Sequence, residues 1–241
     1  MKILDLALEA PAANLALDEA LLDLAEQAHE PLEILRLWQS PTYFVVTGFG
    51  NKTATEVNQA ACWRDHIPIL RRCTGGGTVL QGPGCLNYTL ILNMQLRPEL
   101  SSITSTNCFV MSAHRNIIQP FFPGKNVQIS GATDLALDGR KFSGNAQRRK
   151  RKAILFHGSF LLDVDLNKIE EYLLHPSREP EYRARRRHQE FLCNLQLSPD
   201  SLKAKLAAHW NATQIMDAPS ASSIEPYLSA KYDNPAWIRR I

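Results

Sequence analysis

The sequence predicts an α+β fold with a mixed, largely antiparallel sheet flanked by helices. Short apolar runs bounded by turn residues outnumber the segments with helical periodicity. Several of these runs follow one another directly, without an intervening helix, as antiparallel strands do. The 241 residues, 44% of them hydrophobic and 21% charged, have the composition of an ordinary globular protein.

The first predicted element is a helix that Asn14 caps, with Asp18 and Glu19 in its first turn and leucines at helical spacing around them. Strands are then predicted at 33–38, 43–48, 67–72, 133–137, 140–147 and 153–162. Further helices are predicted at 55–66, 101–122, 166–174 and 198–210. A loop at 217–223 precedes a last short helical segment.

Composition argues against several classes of protein. The formal net charge of +3 gives no global basic field for nucleic acid. Asp5 and Glu9 interrupt the apolar run that a secretory signal needs, and no stretch approaches the ~20 apolar residues of a membrane span. An odd number of cysteines without a CxxC pair favours free thiols in a reducing compartment: Cys62, Cys73, Cys85, Cys108 and Cys193. We therefore expect a cytoplasmic protein that binds neither nucleic acid nor a membrane.

The segment RRCTGGGTVLQGPGCLNYTLIL, residues 71–92, sets three consecutive glycines beside two arginines within apolar, strand-like sequence. One interpretation is a tight turn, because glycine adopts positive φ without strain. The other is an anion-binding loop, in which glycine backbone lets N–H groups converge on a phosphate or carboxylate. A hairpin turn needs fewer glycines, and Gly82 and Gly84 follow almost at once, which favours the anion-binding loop. The segment matches neither the P-loop nor the GxGxxG pattern.

The segment 131–147 is predicted to form a hairpin, because Asp138-Gly139 separates two alternating runs. The predicted register pairs Leu137 with Arg140, Ala136 with Lys141, Leu135 with Phe142, and Asp134 with Ser143. Leu135, Leu137 and Phe142 then share an inward face. Lys141 lies on the other face, with Asp134, Ala136, Ser143 and Asn145. This lysine either has a ligand above it or is an ordinary exposed side chain, and the stretch alone does not distinguish the two.

Motifs in one order along the chain resemble the lipoate-protein ligase A family, in the superfamily of biotin and lipoate protein ligases. They are NLALDEALL (14–22), RRCTGGGTVLQ (71–81), GRKFSGNAQ (139–147) and FHGSFLLDVDL (156–166). The ending KYDNPAWI (231–238) is similar to the close of the ligase catalytic domain. The resemblance implies the α+β biotin/lipoate ligase fold, which is like that of class II synthetases. It also implies a single catalytic domain over 1–241, without a C-terminal accessory domain.

The resemblance further implies a reaction and its residues. Lipoate or octanoate is activated with ATP and Mg²⁺ to an acyl-adenylate, and the acyl group passes to a lysine of a carrier protein. Lys141 is the implied catalytic residue. The implied adenylate-binding residues are Arg72, Gly77, Thr78, Val79, Leu80 and Lys141. The implied lipoate-binding residues are Arg72, Thr74, Gly75, Gly76, Lys141, Gly144, Ala146 and His157. Asp134 is a candidate ligand for Mg²⁺.

Two other functions remain open at the level of sequence. Octanoyltransferases of this superfamily form a thioester on a cysteine upstream of the lysine motif, but no cysteine lies between Cys108 and Cys193. Cys73 and Cys85 flank the glycines, and as small buried residues they need no catalytic role, although Cys85 keeps the thioester alternative open. The second alternative is a non-catalytic protein that binds lipoate or nucleotide, and the presence of both Arg72 and Lys141 argues against it.

The implied partner is an acidic lipoyl-carrier domain, of the dehydrogenase E2 or glycine-cleavage H type, and a separate accessory subunit is a further expectation. Two basic runs, RRKRK (148–152) and RARRR (183–187), could steer an acidic carrier. A solvated surface is the more common role of such runs.

Overall fold

The computed structural model describes residues 1–240, and its strands form two sheets. The strands are β1 (Lys2–Asp5), β2 (Ile34–Trp38), β3 (Phe44–Thr47), β4 (Ile69–Arg71), β5 (Val79–Gln81), β6 (Cys85–Asn93), β7 (Val127–Ser130), β8 (Asp134–Leu137), β9 (Arg140–Arg149), β10 (Ala153–Leu161) and β11 (Gln214–Ile215). Eight strands form the large sheet in the order β11-β1-β2-β6-β10-β9-β8-β7, and β4-β3-β5 form a small one. Strands β2, β6, β10, β9, β8 and β7 pair antiparallel, whereas β1 is parallel to both neighbours, so the predicted mixed, largely antiparallel sheet is confirmed.

The helices flank these sheets. They are α1 (Pro11–Gln27), α2 (Thr53–Glu56), α3 (Gln59–Arg64), α4 (Ile103–Ile118), α5 (Leu166–Tyr172), α6 (His188–Phe191), α7 (Pro199–His209), α8 (Ala221–Tyr227) and α9 (Pro235–Ile238). Helix α4 packs against one face of the large sheet through Val110 and Met111. Helix α1 packs against the other face, where Leu15 and Leu21 share a cluster with Phe44 of the small sheet. Among residues 1–240, no helix has the length and apolar character to cross a bilayer.

Two rows of side chains cross the α1 face of the large sheet. The first row pairs Trp38 with Asn87, Asn87 with Ser159, and Ser159 with Gly144. The second pairs Arg36 with Thr89, Thr89 with His157, and His157 with Ala146. Directly opposed residues on one face lie about 5 Å apart. Polar residues from β2, β6 and β10, which are far apart in sequence, therefore lie side by side, next to the small residues Gly144 and Ala146 of β9.

Several local predictions were wrong, each for its own reason. Helix α1 begins at Pro11, whose fixed φ suits the first helical position, and the Asn14 side chain instead bonds the backbone of Leu8 at 2.7 and 2.9 Å. The predicted helix at 55–66 is broken into α2 and α3, because Val57 is extended and bridges to Leu173. Strands β1, β7 and β11 were not predicted, because they are only two to four residues long.

The predicted hairpin forms, but a bulge changes its register. Ala136 pairs with Lys141 and Leu137 with Arg140 as predicted, whereas Leu135 pairs with Ser143 rather than Phe142. The extra residue reverses the side-chain alternation beyond it. Asn145 therefore faces Met111 of α4 and accepts a hydrogen bond from the Tyr88 hydroxyl at 2.6 Å. The predicted placement of Ser143 and Asn145 beside Lys141 is wrong, and Gly144 and Ala146 take that face.

The apolar face of the hairpin is as predicted. Leu135, Leu137 and Phe142 are all buried in the cluster that the large sheet shares with α4.

Candidate active site

Arg72 organises the glycine segment. Its Nη2 donates to the carbonyl oxygens of Gly75 at 2.6 Å and Gly77 at 2.7 Å, and its Nε donates to Thr74 Oγ1 at 3.0 Å. Burial lowers the pKa of Arg72 to about 10, which still leaves it protonated at neutral pH. No carboxylate within residues 1–240 pairs with this buried cation. An anionic ligand would supply the missing countercharge.

The arginine also orients the loop amides. In a trans peptide the C=O and N–H point in opposite directions, so the N–H groups of Gly76 and Thr78 point away from Arg72. In the described chain, the backbone N–H groups of residues 75–78 make no hydrogen bond. Gly76, Gly77 and Thr78 line a cavity of about 330 Å³ between the two sheets. The segment is therefore a loop with free donors beside a cavity, as the anion-binding interpretation requires.

Arg71 braces the same region from outside the cavity. Its Nη1 donates to the carbonyl oxygens of Gly48 and Asn51, both at 2.8 Å. Its Nε donates to Ile238 O at 3.1 Å, and its own carbonyl accepts from Trp237 Nε1 at 3.0 Å. Arg71 and Arg72 thus both donate to backbone carbonyls. Arg71 also connects the glycine segment with residues 237–238 near the C-terminus.

Strand β5 presents a free edge to the cavity. Val45 N–H donates to Pro68 O at 2.8 Å, so the backbone groups of Val45 point away from β5. The residue opposite Val45 on β5 is Leu80, whose N–H and C=O consequently point away from β3. Because β5 is the edge of its sheet, these two groups have no strand partner. Leu80 lines the cavity, so one donor and one acceptor of the backbone are available there.

His157 is fixed by a chain of polar contacts. Its Nδ1 lies 3.2 Å from Asp18 Oδ2, and its Nε2 lies 2.7 Å from Thr74 Oγ1. Since Nδ1 faces a carboxylate, Nδ1 is placed to donate to Asp18, which leaves Nε2 to face the Thr74 hydroxyl. Arg36, fully buried, bonds the other Asp18 oxygen at 2.6 Å. Burial disfavours the Asp18 carboxylate, but Arg36 and His157 outweigh it and hold the pKa of Asp18 below its ordinary value.

Lys141 enters the cavity from the hairpin. Its Nζ lies 2.8 Å from Asp134 Oδ1, and the Tyr182 hydroxyl donates to Asp134 Oδ2 at 2.8 Å. The ammonium lies over Gly144, where a Cβ would come within 2.9 Å of Nζ. Any larger residue at position 144 would collide with the Lys141 ammonium, so glycine is needed there for the lysine to lie beside the cavity. Sequence spacing did not reveal this requirement.

The structure brings most of the predicted site residues together. Those that line the cavity are Arg72, Gly76, Gly77, Thr78, Val79, Leu80, Asp134, Lys141, Gly144, Ala146 and His157. Thr74 and Gly75 lie behind them and act on the site through His157 and Arg72. The sequence analysis missed several polar residues of the cavity wall: Asp18, Glu56, Gln81, Asn87, Ser159, Arg178, Arg183 and His188. Asp18, Gln81 and Ser159 had a sequence signal, because each lies within one of the quoted motifs, and Arg183 lies in the second basic run.

The residues present do not form a metal cage. Among residues 1–240, no group of three or more His, Cys, Asp or Glu side chains has the geometry to hold an ion. Both Asp134 oxygens have partners, Lys141 and Tyr182. Mg²⁺ that accompanies a nucleotide is held mainly by phosphates and water, with one or two carboxylates. Asp134 as a Mg²⁺ ligand therefore stays a prediction, and it would require Asp134 to release Lys141.

The cysteines lie away from the cavity. None of the five is among the residues that line it. Burial raises the pKa of Cys73 to about 11 and that of Cys85 to about 12, so both are thiols at neutral pH. A nucleophilic cysteine needs an accessible thiolate.

The basic runs are partly neutralised within the protein. Lys150 pairs with Asp23, and Arg149 donates to Leu100 O and Thr106 Oγ1. Arg151 and Lys152 are exposed. In the second run Arg183 is buried, and Arg187 pairs with Glu170. Ion pairs therefore offset part of the positive charge of the two runs, and Arg151 and Lys152 remain exposed.

Comparison with known sequences places this site in a family. The lipoyl protein ligase A/B catalytic domain matches residues 10–211. "Probable lipoate-protein ligase A" of Mycoplasma pneumoniae is 30% identical over 68% of this chain and 46% of its own length. "Octanoyltransferase LipM" of Bacillus subtilis is 30% identical over 73% of this chain and 70% of its own. The chain thus spans about half the length of the ligase relatives that it matches.

Solved structures share the fold. A lipoate-protein ligase A crystallised with ATP is 22% identical, with a TM-score of 0.79 over 99% of this chain and 98% of its own. A second structure comes from Thermoplasma acidophilum, from a study of a bi-partite lipoate protein ligase and its E2 lipoyl domain. It is 19% identical to this chain, with a TM-score of 0.74 over 100% of this chain and 96% of its own. The predicted α+β fold is confirmed as the fold of lipoate-protein ligases, and the chain belongs to the lipoyl protein ligase A/B catalytic domain family.

Proposed function

We propose that the protein is an acyl-protein ligase that activates lipoate or octanoate with ATP and transfers the acyl group to a carrier lysine. In the first step the acid's carboxylate attacks the α-phosphorus of ATP, and pyrophosphate leaves. In the second step the carrier's lysine amine attacks the acyl carbonyl carbon, and AMP leaves. The family relationship supports acyl transfer, and the features of the cavity support the finer assignment.

The observation that carries the proposal is the composition of the cavity wall. It combines free backbone amides, a buried unpaired guanidinium and an ammonium, but no cysteine. Fixed N–H donors and cations stabilise the charge that develops at a phosphate or an acyl oxygen. A thioester route needs a thiol in contact with the acyl carbonyl, and the cavity lacks one. The wall therefore favours an adenylate over an acyl-cysteine.

The residues have distinct roles in this scheme. The amides of residues 75–78 would face the phosphate side, and the free edge at Leu80 would bind the base through one donor and one acceptor. Lys141 would contact the acyl carbonyl and the phosphate together, exchanging Asp134 for these oxygens. Arg72 would act through the shape of the loop, because Gly75 and Gly77 already occupy its donors. His157 and Thr74 would hold the loop from below.

Partners follow from the same proposal. A dehydrogenase E2 or glycine-cleavage H type carrier would present the acceptor lysine, and the bi-partite archaeal ligase raises an accessory subunit as a second partner. The exposed Arg151 and Lys152 are candidates for the contact with an acidic carrier.

Mass spectrometry of a carrier domain tests the whole reaction. We expect the acyl mass to appear on one carrier lysine after incubation with the protein, ATP, Mg²⁺ and lipoate or octanoate. An acyl mass that appears without ATP, from an acylated carrier as donor, would assign the protein to the octanoyltransferases. Tight binding of lipoate without any transfer, also in the presence of an accessory subunit, would indicate the non-catalytic alternative.

A further inference from the structure

The motif KYDNPAWI, residues 231–238, has no place in the reaction as described so far. None of its residues lines the cavity. Two of them nevertheless contact the strand that leads into the glycine segment, because Trp237 and Ile238 both bond Arg71. We call residues 231–238 the C-terminal segment.

The C-terminal segment is anchored to helix α1. The buried carboxylate of Glu19 accepts from Lys231 Nζ at 2.5 Å and from the Tyr232 hydroxyl at 2.8 Å. Asn234 then caps helix α9 by accepting from the Ala236 N–H at 2.9 Å. Glu19 belongs to the first motif of the chain, so motifs from opposite ends of the sequence hold each other. The anchor and the cap together fix the position of α9.

The peptide group between Arg71 and Arg72 is bonded on both sides. Its N–H, which belongs to Arg72, donates to Thr47 O of β3 at 3.0 Å. In a trans peptide the carbonyl points the opposite way, and β4 is an edge strand, so this carbonyl leaves the sheet. There it accepts from Trp237 Nε1 at 3.0 Å, and Arg71 Nε in turn donates to Ile238 O at 3.1 Å. The two bonds on this peptide fix the direction in which the chain enters the glycine segment.

Arg71 also braces a turn that lies against the glycines. Its Nη1 donates to Gly48 O at 2.8 Å. A Cβ at Gly48 would come within 2.1 Å of Gly76 O, so the two backbones are in direct contact. The next N–H of the turn, that of Phe49, donates to Thr74 O at 2.8 Å. Through Arg71, the C-terminal segment therefore reaches the glycine segment by two routes, the strand backbone and this turn.

We infer that Trp237 is a positioning residue of the proposed ligase reaction. This inference rests on the proposed function. Trp237 lies outside the cavity, and by fixing Arg71 it holds the free amides of residues 75–78 where charge develops on the substrate. Fixed donors stabilise that charge because they need no reorganisation as it forms. A displacement of about 1 Å can cost about a hundredfold in rate. The indole N–H therefore contributes to the rate of adenylate formation more than to substrate affinity.

Trp237→Phe removes the indole N–H and keeps an aromatic ring beside Phe49, whose centroid lies 5.7 Å from that of Trp237. We expect the rate constant of pyrophosphate exchange into ATP, at saturating substrates, to fall about tenfold. The KM values for ATP and lipoate should change less than about twofold, as expected when an interaction of the transition state is lost. Replacement of Trp237 by benzothienylalanine, in which sulfur takes the place of the indole N–H, is the second variant. It keeps the size of the ring and separates the hydrogen bond from packing.

Trp63→Phe is the matched control. Trp63 on α3 is 67% exposed and lies outside the cavity, so we expect wild-type kinetics. Thermal unfolding of each variant identifies an effect on stability. A merely structural role of Trp237 would lower the unfolding midpoint and leave the exchange rate unchanged at temperatures well below it. A positioning role lowers the rate at those temperatures, where the protein is fully folded.

The outcomes separate this inference from the proposed function. Wild-type exchange rates in both variants at position 237 would overturn the inference, and so would a change confined to the KM values. A lowered rate in Trp237→Phe with a wild-type rate in the benzothienylalanine variant would assign the effect to packing and overturn the role of the hydrogen bond. A wild-type protein that exchanges no pyrophosphate, with or without an accessory subunit, would refute the proposed function itself. That result differs from an active wild type with unaffected variants.

Discussion

The ammonium of Lys141 and the carboxylate of Asp134 form an ion pair at 2.8 Å in a cavity that also contains the free amides of the glycine segment. Tyr182 bonds the second oxygen of Asp134, so the carboxylate is held from two sides. The lysine is thereby placed at the cavity with its charge retained. A ligand oxygen that binds the Lys141 ammonium must therefore displace the Asp134 carboxylate or share the ammonium with it.

Lys141→Ala is expected to abolish acyl transfer while the fold is retained. Its side chain carries the only ammonium among the cavity-lining residues. Loss of a group that stabilises negative charge in the transition state commonly costs about 3 kcal/mol or more, which is a hundredfold in rate. Transfer kinetics with a carrier domain measure this, and Lys205→Ala, which removes an exposed lysine of α7, is the control. Near-normal transfer by Lys141→Ala would show that the residue is not catalytic.

Gly77→Val is expected to impair nucleotide-dependent steps more than the binding of lipoate. A Cβ at Gly77 meets no protein atom within 4 Å, so the new side chain would occupy ligand space rather than strain the loop. Gly50, whose Cβ would also meet open space, lies outside the cavity, and Gly50→Val is therefore the matched control. Adenylate formation at the wild-type rate in Gly77→Val would mean that the loop is only a turn.

Cys73→Ala and Cys85→Ala are expected to leave acyl transfer largely intact. Both thiols are buried, have raised pKa values and lie outside the cavity wall. Denaturing mass spectrometry during turnover should find no acyl group on a cysteine. An acyl-cysteine that is trapped in the wild type and absent in Cys85→Ala would instead assign the protein to the enzymes that form a thioester intermediate.

Asp18→Asn is expected to destabilise the protein strongly. Arg36 is fully buried, and removal of one partner of a buried ion pair costs about 3–5 kcal/mol. Chemical denaturation measures the loss in the free energy of unfolding. Because the pKa of Asp18 is lowered in the folded state, its contribution is present at neutral pH and is lost as the pH falls through that folded-state pKa. Equal stability of variant and wild type at pH 7 would contradict the role given to this pair.

Reversal of Arg151 and Lys152 to glutamate is expected to raise the KM for an acidic carrier without a change in adenylate formation. These two residues are the exposed part of the first basic run, whereas Arg149 and Lys150 have partners within the protein. The effect should weaken with salt, since the Debye length falls from about 10 Å at 0.1 M to about 3 Å at 1 M. Reversal of the exposed Lys205 on α7 is the control. Unchanged carrier kinetics would remove this surface from the docking site, and salt-dependent retention of DNA by the wild type alone would indicate nucleic-acid binding instead.

The sequence predicted the parts of the site that are local in the chain. The Asp138-Gly139 turn fixed the pairing of Ala136 with Lys141, and the glycine run located the loop whose backbone amides are free beside the cavity. Contacts between distant positions were not predictable, because spacing carries no information about them. His157 and Asp18 are 139 residues apart and meet only because α1 packs on the sheet. The bulge after Lys141 was missed because one unpaired residue leaves no pattern in a strand, yet it decides that Gly144 rather than Ser143 lies below the ammonium.

The exchange of labelled pyrophosphate into ATP tests the central claim most directly. If the cavity forms an acyl-adenylate, exchange should depend on lipoate or octanoate, continue without a carrier and fail in Lys141→Ala. The assay should be run with and without an accessory subunit, since the chain spans about half the length of its ligase relatives. Exchange absent under both conditions, together with acyl transfer that needs no ATP, would contradict the adenylate mechanism.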